Sequence, residues 1–155
     1  MNFSIEVYGL DSSLMVEPFV TEQWEALDRF FPYPWTTDGW RDLYNQWDHH
    51  LVLHAVESQK IIGMILYGFN SDQTAHLYKI VVNPDLRKKG LGDELLGRSI
   101  DFLKTKSCKG IFLEVEDTNT AAHNLYLKHD FENLHLARNF YGQNRHAYKM
   151  MLSIP

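Results

Sequence analysis

Arg87, Gly90 and Gly92 stand at the spacing R-x-x-G-x-G within the run Val82-Asn83-Pro84-Asp85-Leu86-Arg87-Lys88-Lys89-Gly90-Leu91-Gly92. Glycines there let backbone N–H groups turn toward a ligand, and a helix N-terminus offers unsatisfied donors and the positive end of its dipole to an anion. Arg87, Lys88 and Lys89 add mobile positive charge, so the run reads as a phosphate site. A dinucleotide fingerprint wants a third glycine where Leu95 stands, and a P-loop wants Gly-Lys-Ser/Thr; neither pattern is present. The plain alternative is a strand-to-helix turn that merely needs glycine.

The elements around this loop follow from periodicity. Leu77 to Val82 has the β-branched and aromatic content of a strand, and Pro84 stops the ladder because it has no N–H to donate. Leu91, Leu95, Leu96, Ile100 and Leu103 recur at helical spacing, which predicts a helix from Leu91 to about Lys106. Upstream, the pattern predicts a strand over Phe3 to Tyr8 and short helices over Thr21 to Phe31 and Thr37 to Trp47, split by Pro32 and Pro34. A hairpin follows, His50 to Val56 and Ile61 to Phe69, turning at Glu57 to Lys60. Downstream come a strand from Gly110 to Val115, a helix from about Thr120 to Lys128, and strands over Phe131 to Leu136 and Ala147 to Leu152. A β-α-β-α-β centre with antiparallel ends predicts an α/β fold on a mixed sheet.

Composition bounds the function. The chain has 155 residues, enough for one core, and residues 1–155 read as a single domain. A net charge of −5 gives no broad basic field, so nucleic acid is not the expected partner. The single cysteine, Cys108, rules out an internal disulfide framework and suits a reducing compartment. No apolar run nears the roughly 18 residues of a membrane span, and the N-terminus lacks a signal-peptide pattern, so a cytoplasmic protein without a membrane partner is expected. His49, His50 and His54 invite a metal, but no Cys or carboxylate completes a set, and none is expected.

Taken together, Val82-x-Pro84 with Arg87-x-x-Gly90-x-Gly92, then Leu113-Glu114-Val115, Asn119 and Ala122-x-x-Leu125-Tyr126, resemble the GNAT acetyltransferases. The likeness is greatest to the bacterial ribosomal-protein N-terminal alanine acetyltransferases (RimI-like). It extends from Pro34-Trp35-Thr36 to Arg138-Asn139-Phe140-Tyr141, so that it covers about Phe31 to Leu152. It implies a GNAT fold, a central, mostly antiparallel mixed sheet of about six or seven strands flanked by about four helices. It also implies acetyl-CoA as the cosubstrate and a primary amine as the acceptor, by direct attack in a ternary complex. The acceptor expected first is the N-terminal α-amine of a protein. Alternatives are a small-molecule or polyamine acetyltransferase and a catalytically idle acyl-CoA-binding module; monomer and homodimer stay open.

The resemblance also implies site residues. Cofactor contacts fall to Ile80, Val81, Val82, Arg87, Lys88, Lys89, Gly90, Leu91, Gly92, Asp93, Asn119 and Tyr126, with backbone N–H near Val81 or Val82 facing the oxyanion. Acetyl transfer needs a free amine and a protonated leaving thiol. An α-amine with a pKa near 8 costs roughly 1.4 kcal/mol to deprotonate at pH 7, against roughly 4.6 for lysine. Glu114 is assigned as general base and Tyr126 as general acid; reference pKa values near 10 and 8.5 put phenol-to-thiolate transfer at about 2 kcal/mol. Asn119 doubles as a helix N-cap. Acceptor contacts are expected from Tyr33, Trp35, Lys79, Glu114 and Tyr141, the rest of the early aromatic cluster being core. Lys79 departs from the family, which commonly has an amide or acid there; it reads either as a cation at the amine pocket or as an outward-facing strand lysine. Asp93 and Glu94 suit the helix dipole yet bring negative charge near the pyrophosphate.

Overall fold

The structure, a computed structural model, describes residues 2–10 and 16–155. The chain order is β1 (Ser4–Gly9), α1 (Pro18–Asp28), α2 (Thr37–Asn45), β2 (His50–Glu57), β3 (Lys60–Phe69), β4 (Thr74–Val82), α3 (Leu91–Thr105), β5 (Gly110–Glu116), α4 (Thr120–Lys128), β6 (Glu132–Gly142) and β7 (Arg145–Ser153). The strands form one sheet in the order β1-β2-β3-β4-β5-β7-β6. Among the described strands only β4 and β5 pair in parallel, and α3 is the crossover between them. The expected mixed α/β sheet with four flanking helices is therefore found.

Both faces of the sheet's centre are covered, and the two layers hold separate clusters. On one face Leu51, Leu53, Ile65 and Tyr67 pack with Leu91, Leu95, Leu96 and Leu103 of α3. On the other, Val52, Met64 and Leu66 pack with Trp24 and Leu27 of α1 and Trp40 and Leu43 of α2. Burial on two sides explains why β2 and β3 read as nearly unbroken apolar runs. Their connection is tight because Ser58 (φ 51°) and Gln59 (φ 66°) both take the left-handed conformation that matches the twist of a two-residue hairpin.

Several boundaries differ from the pattern-based expectation, among them the end of α2, which stops at Asn45 rather than Trp47. The first helix begins at Pro18, whose fixed φ suits the first turn, and ends at Asp28 rather than Phe31. The last pair of strands is longer than predicted, β6 continuing through Arg138 to Gly142 with an irregular register after Ala137. Strand β4 begins at Thr74, three residues before Leu77, because the Asp72 carboxylate accepts from the Thr74 N–H (3.0 Å) and hydroxyl (2.6 Å) and ends the preceding turn. The early start matters, since it puts His76 in the sheet.

Candidate active site

Strands β4 and β5 are hydrogen-bonded only over Thr74–His76 and Gly110–Phe112, although β4 runs on to Val82 and β5 to Glu116. Beyond His76 the two diverge, and the facing edges carry backbone groups with no sheet partner. Ile80, Val81 and Val82 lie on this open edge of β4. The divergence ends at the loop into α3, where Lys88 (φ 65°) and Gly90 (φ 82°) are left-handed. Gly90 is the N-cap of α3 and brings no side-chain acceptor, so the first-turn N–H groups of Leu91, Gly92 and Asp93 lack a capping partner. A Cβ on Gly90 would meet nothing within 4 Å, whereas one on Gly92 would sit 3.8 Å from both Ile80 and Leu125. The loop is thus an open cradle of donors with Arg87, Lys88 and Lys89 exposed around it. This donor set fits a pyrophosphate, and the open strand edges fit an amide-bearing arm.

The two acidic residues of the first turn do not spoil this cradle. Asp93 accepts from His129 Nε2 (2.7 Å) and pairs with Lys128 Nζ (3.0 Å), and these two contacts hold its carboxyl below the usual range. Glu94 is paired with Arg98 at 2.9 Å. Each carboxylate has its own cation, so Asp93 can meet a phosphate only through its backbone N–H. Asn119 caps α4, its side-chain oxygen accepting the Ala122 N–H at 3.3 Å.

On the α2 face of the same divergence lies a cleft of about 610 Å³, walled by Tyr33, Trp35, His50, His76, Glu114 and Tyr141 among others. Tyr33, Trp35 and Tyr141 come together there from segments more than a hundred residues apart: the Tyr33 and Tyr141 rings stack with centroids 4.5 Å apart. The Tyr33 hydroxyl donates to Glu116 at 2.7 Å, and Arg145 clasps that carboxylate at 2.9 and 3.2 Å while lying over the Tyr33 ring. No motif in the sequence assigns a role to Glu116, Arg145 or His76. The only hint was that Glu116 follows Glu114 at the spacing that places both on one face of a strand.

Glu114 opens into this cleft with its side chain 18% exposed, and it accepts from His76 Nε2 at 3.0 Å. Burial pushes its pKa up, but the His76 hydrogen bond and the charges of His76 and Lys149 outweigh burial and leave it below the usual carboxylate range. Tyr126 does not line the cleft. It is buried against Phe131, and burial, reinforced by Tyr141, raises its phenol far above the ordinary value. Full proton transfer from Tyr126 is therefore costlier than reference pKa values gave, and its O–H is best suited to donating a hydrogen bond.

Lys79 corrects both expectations made for it. It lines no cleft and does not face outward: the residue is 1% exposed, and its Nζ lies 2.6 Å from Asp28 Oδ1. The cause is a bulge. Leu66 pairs with Lys79 and Tyr67 with Leu77, so Tyr78 is an extra residue in β4. Leu77 packs on the α3 side, and the inserted residue turns Lys79 to the α1/α2 side, where aromatic rings enclose it. Trp24 and Trp40 are core, as expected. His54, buried, accepts from the Trp24 indole and faces Glu6, and His50 is bonded to the Gln46 carbonyl oxygen.

Comparison with known proteins agrees with this geometry. Residues 20–131 match the pattern of the acetyltransferase (GNAT) family. The chain is 29% identical over 133 residues to the [ribosomal protein bS18]-alanine N-acetyltransferase of Salmonella typhimurium, covering 85% of this chain and 88% of the relative. It is 36% identical over 158 aligned positions to an N-alpha-acetyltransferase of Sulfolobus acidocaldarius, covering 97% and 92%. The crystal structure of the ribosomal-protein-S18-alanine N-acetyltransferase from Escherichia coli superposes with a TM-score of 0.84 at 24% identity, covering 99% of this chain and 94% of that one.

Proposed function

Because this chain belongs to the acetyltransferase (GNAT) family and uses acetyl-CoA as its donor, we propose that residues 1–155 act as one catalytic domain whose acceptor is the N-terminal α-amine of a protein, alanine first. The observation that carries this reading is the ionised Glu114 at the head of an aromatic cleft that meets the open edges of β4 and β5. The relatives named above, which act on ribosomal protein bS18 alanine or are N-alpha-acetyltransferases, support the same acceptor class.

In this reading the open edge of β4 at Ile80, Val81 and Val82 holds the pantetheine amides, and the N–H groups from Arg87 to Asp93 hold the pyrophosphate. Asn119 lies beside the arm, and a backbone N–H near Val81 or Val82 meets the carbonyl oxygen as charge develops. Acetyl-CoA supplies the acyl group and a thiol leaving group. Glu114, held ionised by His76, attracts the incoming ammonium, which gives one proton to bulk water before the free amine attacks. Its low pKa makes it a weak base toward a free ammonium. The amine's N–H becomes far more acidic once the C–N bond forms, and Glu114 is matched to that later proton. Tyr126 donates its O–H to the departing sulfur. Tyr33, Trp35 and Tyr141 enclose the peptide's first residues.

The test is CoA release with peptides bearing free N-terminal Ala, Ser or Met, the same peptides N-terminally blocked but carrying Lys, and small polyamines. Turnover confined to free N-termini, strongest with Ala, is expected. Turnover on lysine or polyamines alone would overturn the acceptor class.

A further inference from the structure

Asp28, the last residue of α1, is 1% exposed and gathers three donors from three parts of the chain. Its Oδ1 accepts from Lys79 Nζ of β4 at 2.6 Å, and its Oδ2 accepts from the backbone N–H of Trp35 at 2.9 Å and the indole N–H of Trp40 of α2 at 3.1 Å. Lys79 Nζ in turn lies 4.3 Å from the Trp35 ring centroid and 4.8 Å from that of Phe31. Trp35 and Phe31 are both walls of the acceptor cleft, while Lys79 and Asp28 are not. One aromatic layer separates the buried pair from the space the acceptor would fill.

We propose that Lys79 and Asp28 are positioning residues for the acceptor: the pair fixes Trp35 by its backbone and by its ring, and so sets acceptor affinity without touching either substrate. This inference rests on the reading of the cleft as the acceptor site.

Stability alone does not account for such a pair, because desolvating two charges offsets most of their attraction and an apolar pair of similar volume is often as stable. What the pair gives is direction. A carboxylate with two oxygens can hold the Lys79 ammonium with one and two N–H groups with the other, which fixes where the loop from Phe31 to Trp35 leaves α1. The cation behind the Trp35 ring is attracted by its electron-rich face, so the same charge restrains the ring's tilt. No apolar substitute does both.

The test uses Lys79→Met together with Asp28→Asn, since Lys79→Met alone would strand a buried carboxylate and endanger folding. The double variant keeps a side-chain oxygen for the Trp35 and Trp40 N–H groups. We expect its KM for an N-terminal peptide to rise about tenfold while kcat and the KM for acetyl-CoA change less than about threefold. Lys79→Arg alone, which keeps a cation against Asp28, should retain most of the peptide affinity. A second readout is independent of which amine is acetylated: in 5-fluorotryptophan-labelled protein, the ¹⁹F line of Trp35, assigned with Trp35→Phe, should shift and broaden in the double variant, while those of Trp24 and Trp47 stay. A double variant whose Trp35 line stays where it was overturns the proposal. So does an unchanged peptide KM in a folded, active double variant. Absence of N-terminal acetylation in the unsubstituted chain, with Trp35 responding as stated, would instead overturn the acceptor assignment and leave the pair's role in place.

Discussion

The proposed donor half of this site and its proposed acceptor half are built in opposite ways. The donor half is backbone: a left-handed Gly90, an uncapped first turn of α3 and the unpaired edge of β4, nearly all within Ile80 to Asp93. The acceptor half is side chains drawn from the α1–α2 loop, β4, β5 and β6, held by contacts such as Tyr33 to Glu116 and His76 to Glu114. A site made of local backbone tolerates most side-chain changes but not changes of backbone conformation. A site made of distant side chains behaves the other way.

The sharpest way to break this contrast is Glu114→Gln, which keeps shape and removes the proton acceptor. It should lower kcat by about 10² to 10⁴ with acetyl-CoA binding, measured by calorimetry, unchanged. Tyr126→Phe should lower kcat by about tenfold to a hundredfold, a smaller effect because the buried phenol serves as a hydrogen-bond donor rather than a full acid. On the donor side, Gly90→Val forces a β-branched residue into the left-handed region at about 1–2 kcal/mol. It should weaken acetyl-CoA about tenfold while leaving peptide affinity alone. Equal loss of both affinities would show that the two halves are not separable. On the acceptor side, Tyr33→Phe removes the hydrogen bond to Glu116 and should raise peptide KM by about fivefold, with acetyl-CoA KM constant.

The smallest expected effect is a change in pH dependence. Glu114 is depressed by His76, so it stays ionised as pH falls below the usual carboxylate range, and the stability it contributes is present above the unfolded-state pKa and lost as pH falls through the folded one. Removing the hydrogen bond with His76→Ala leaves burial opposed only by the Lys149 charge and raises the carboxyl. The acid limb of kcat/KM should then move to higher pH, with activity near pH 8 little changed. A limb that stays put would show that His76 does not govern Glu114.

The sequence pattern located the seven strands and four α-helices of the described residues, missing chiefly at their ends. It found the turn into α3 that is proposed to hold the donor, because glycine and cation spacing record backbone demands within a few residues. It found Tyr33, Trp35 and Tyr141 as acceptor candidates through family likeness. It missed His76 because Thr74-Ala75-His76 lacks strand character, and only the Asp72 turn fixes where β4 starts.

What the sequence determined by itself was the fold class, the glycine-bearing turn into α3 and the order of the Glu114 and Tyr126 elements. Each follows from local periodicity, glycine placement or a contiguous motif. What the tertiary structure decided was orientation and charge state. Period-two alternation would have put Lys79 on the same face as Leu77; the extra residue Tyr78, accommodated over Gly68, turned it inward to Asp28 instead. A bulge leaves no mark in composition or spacing, because it arises from how one strand settles on its neighbours.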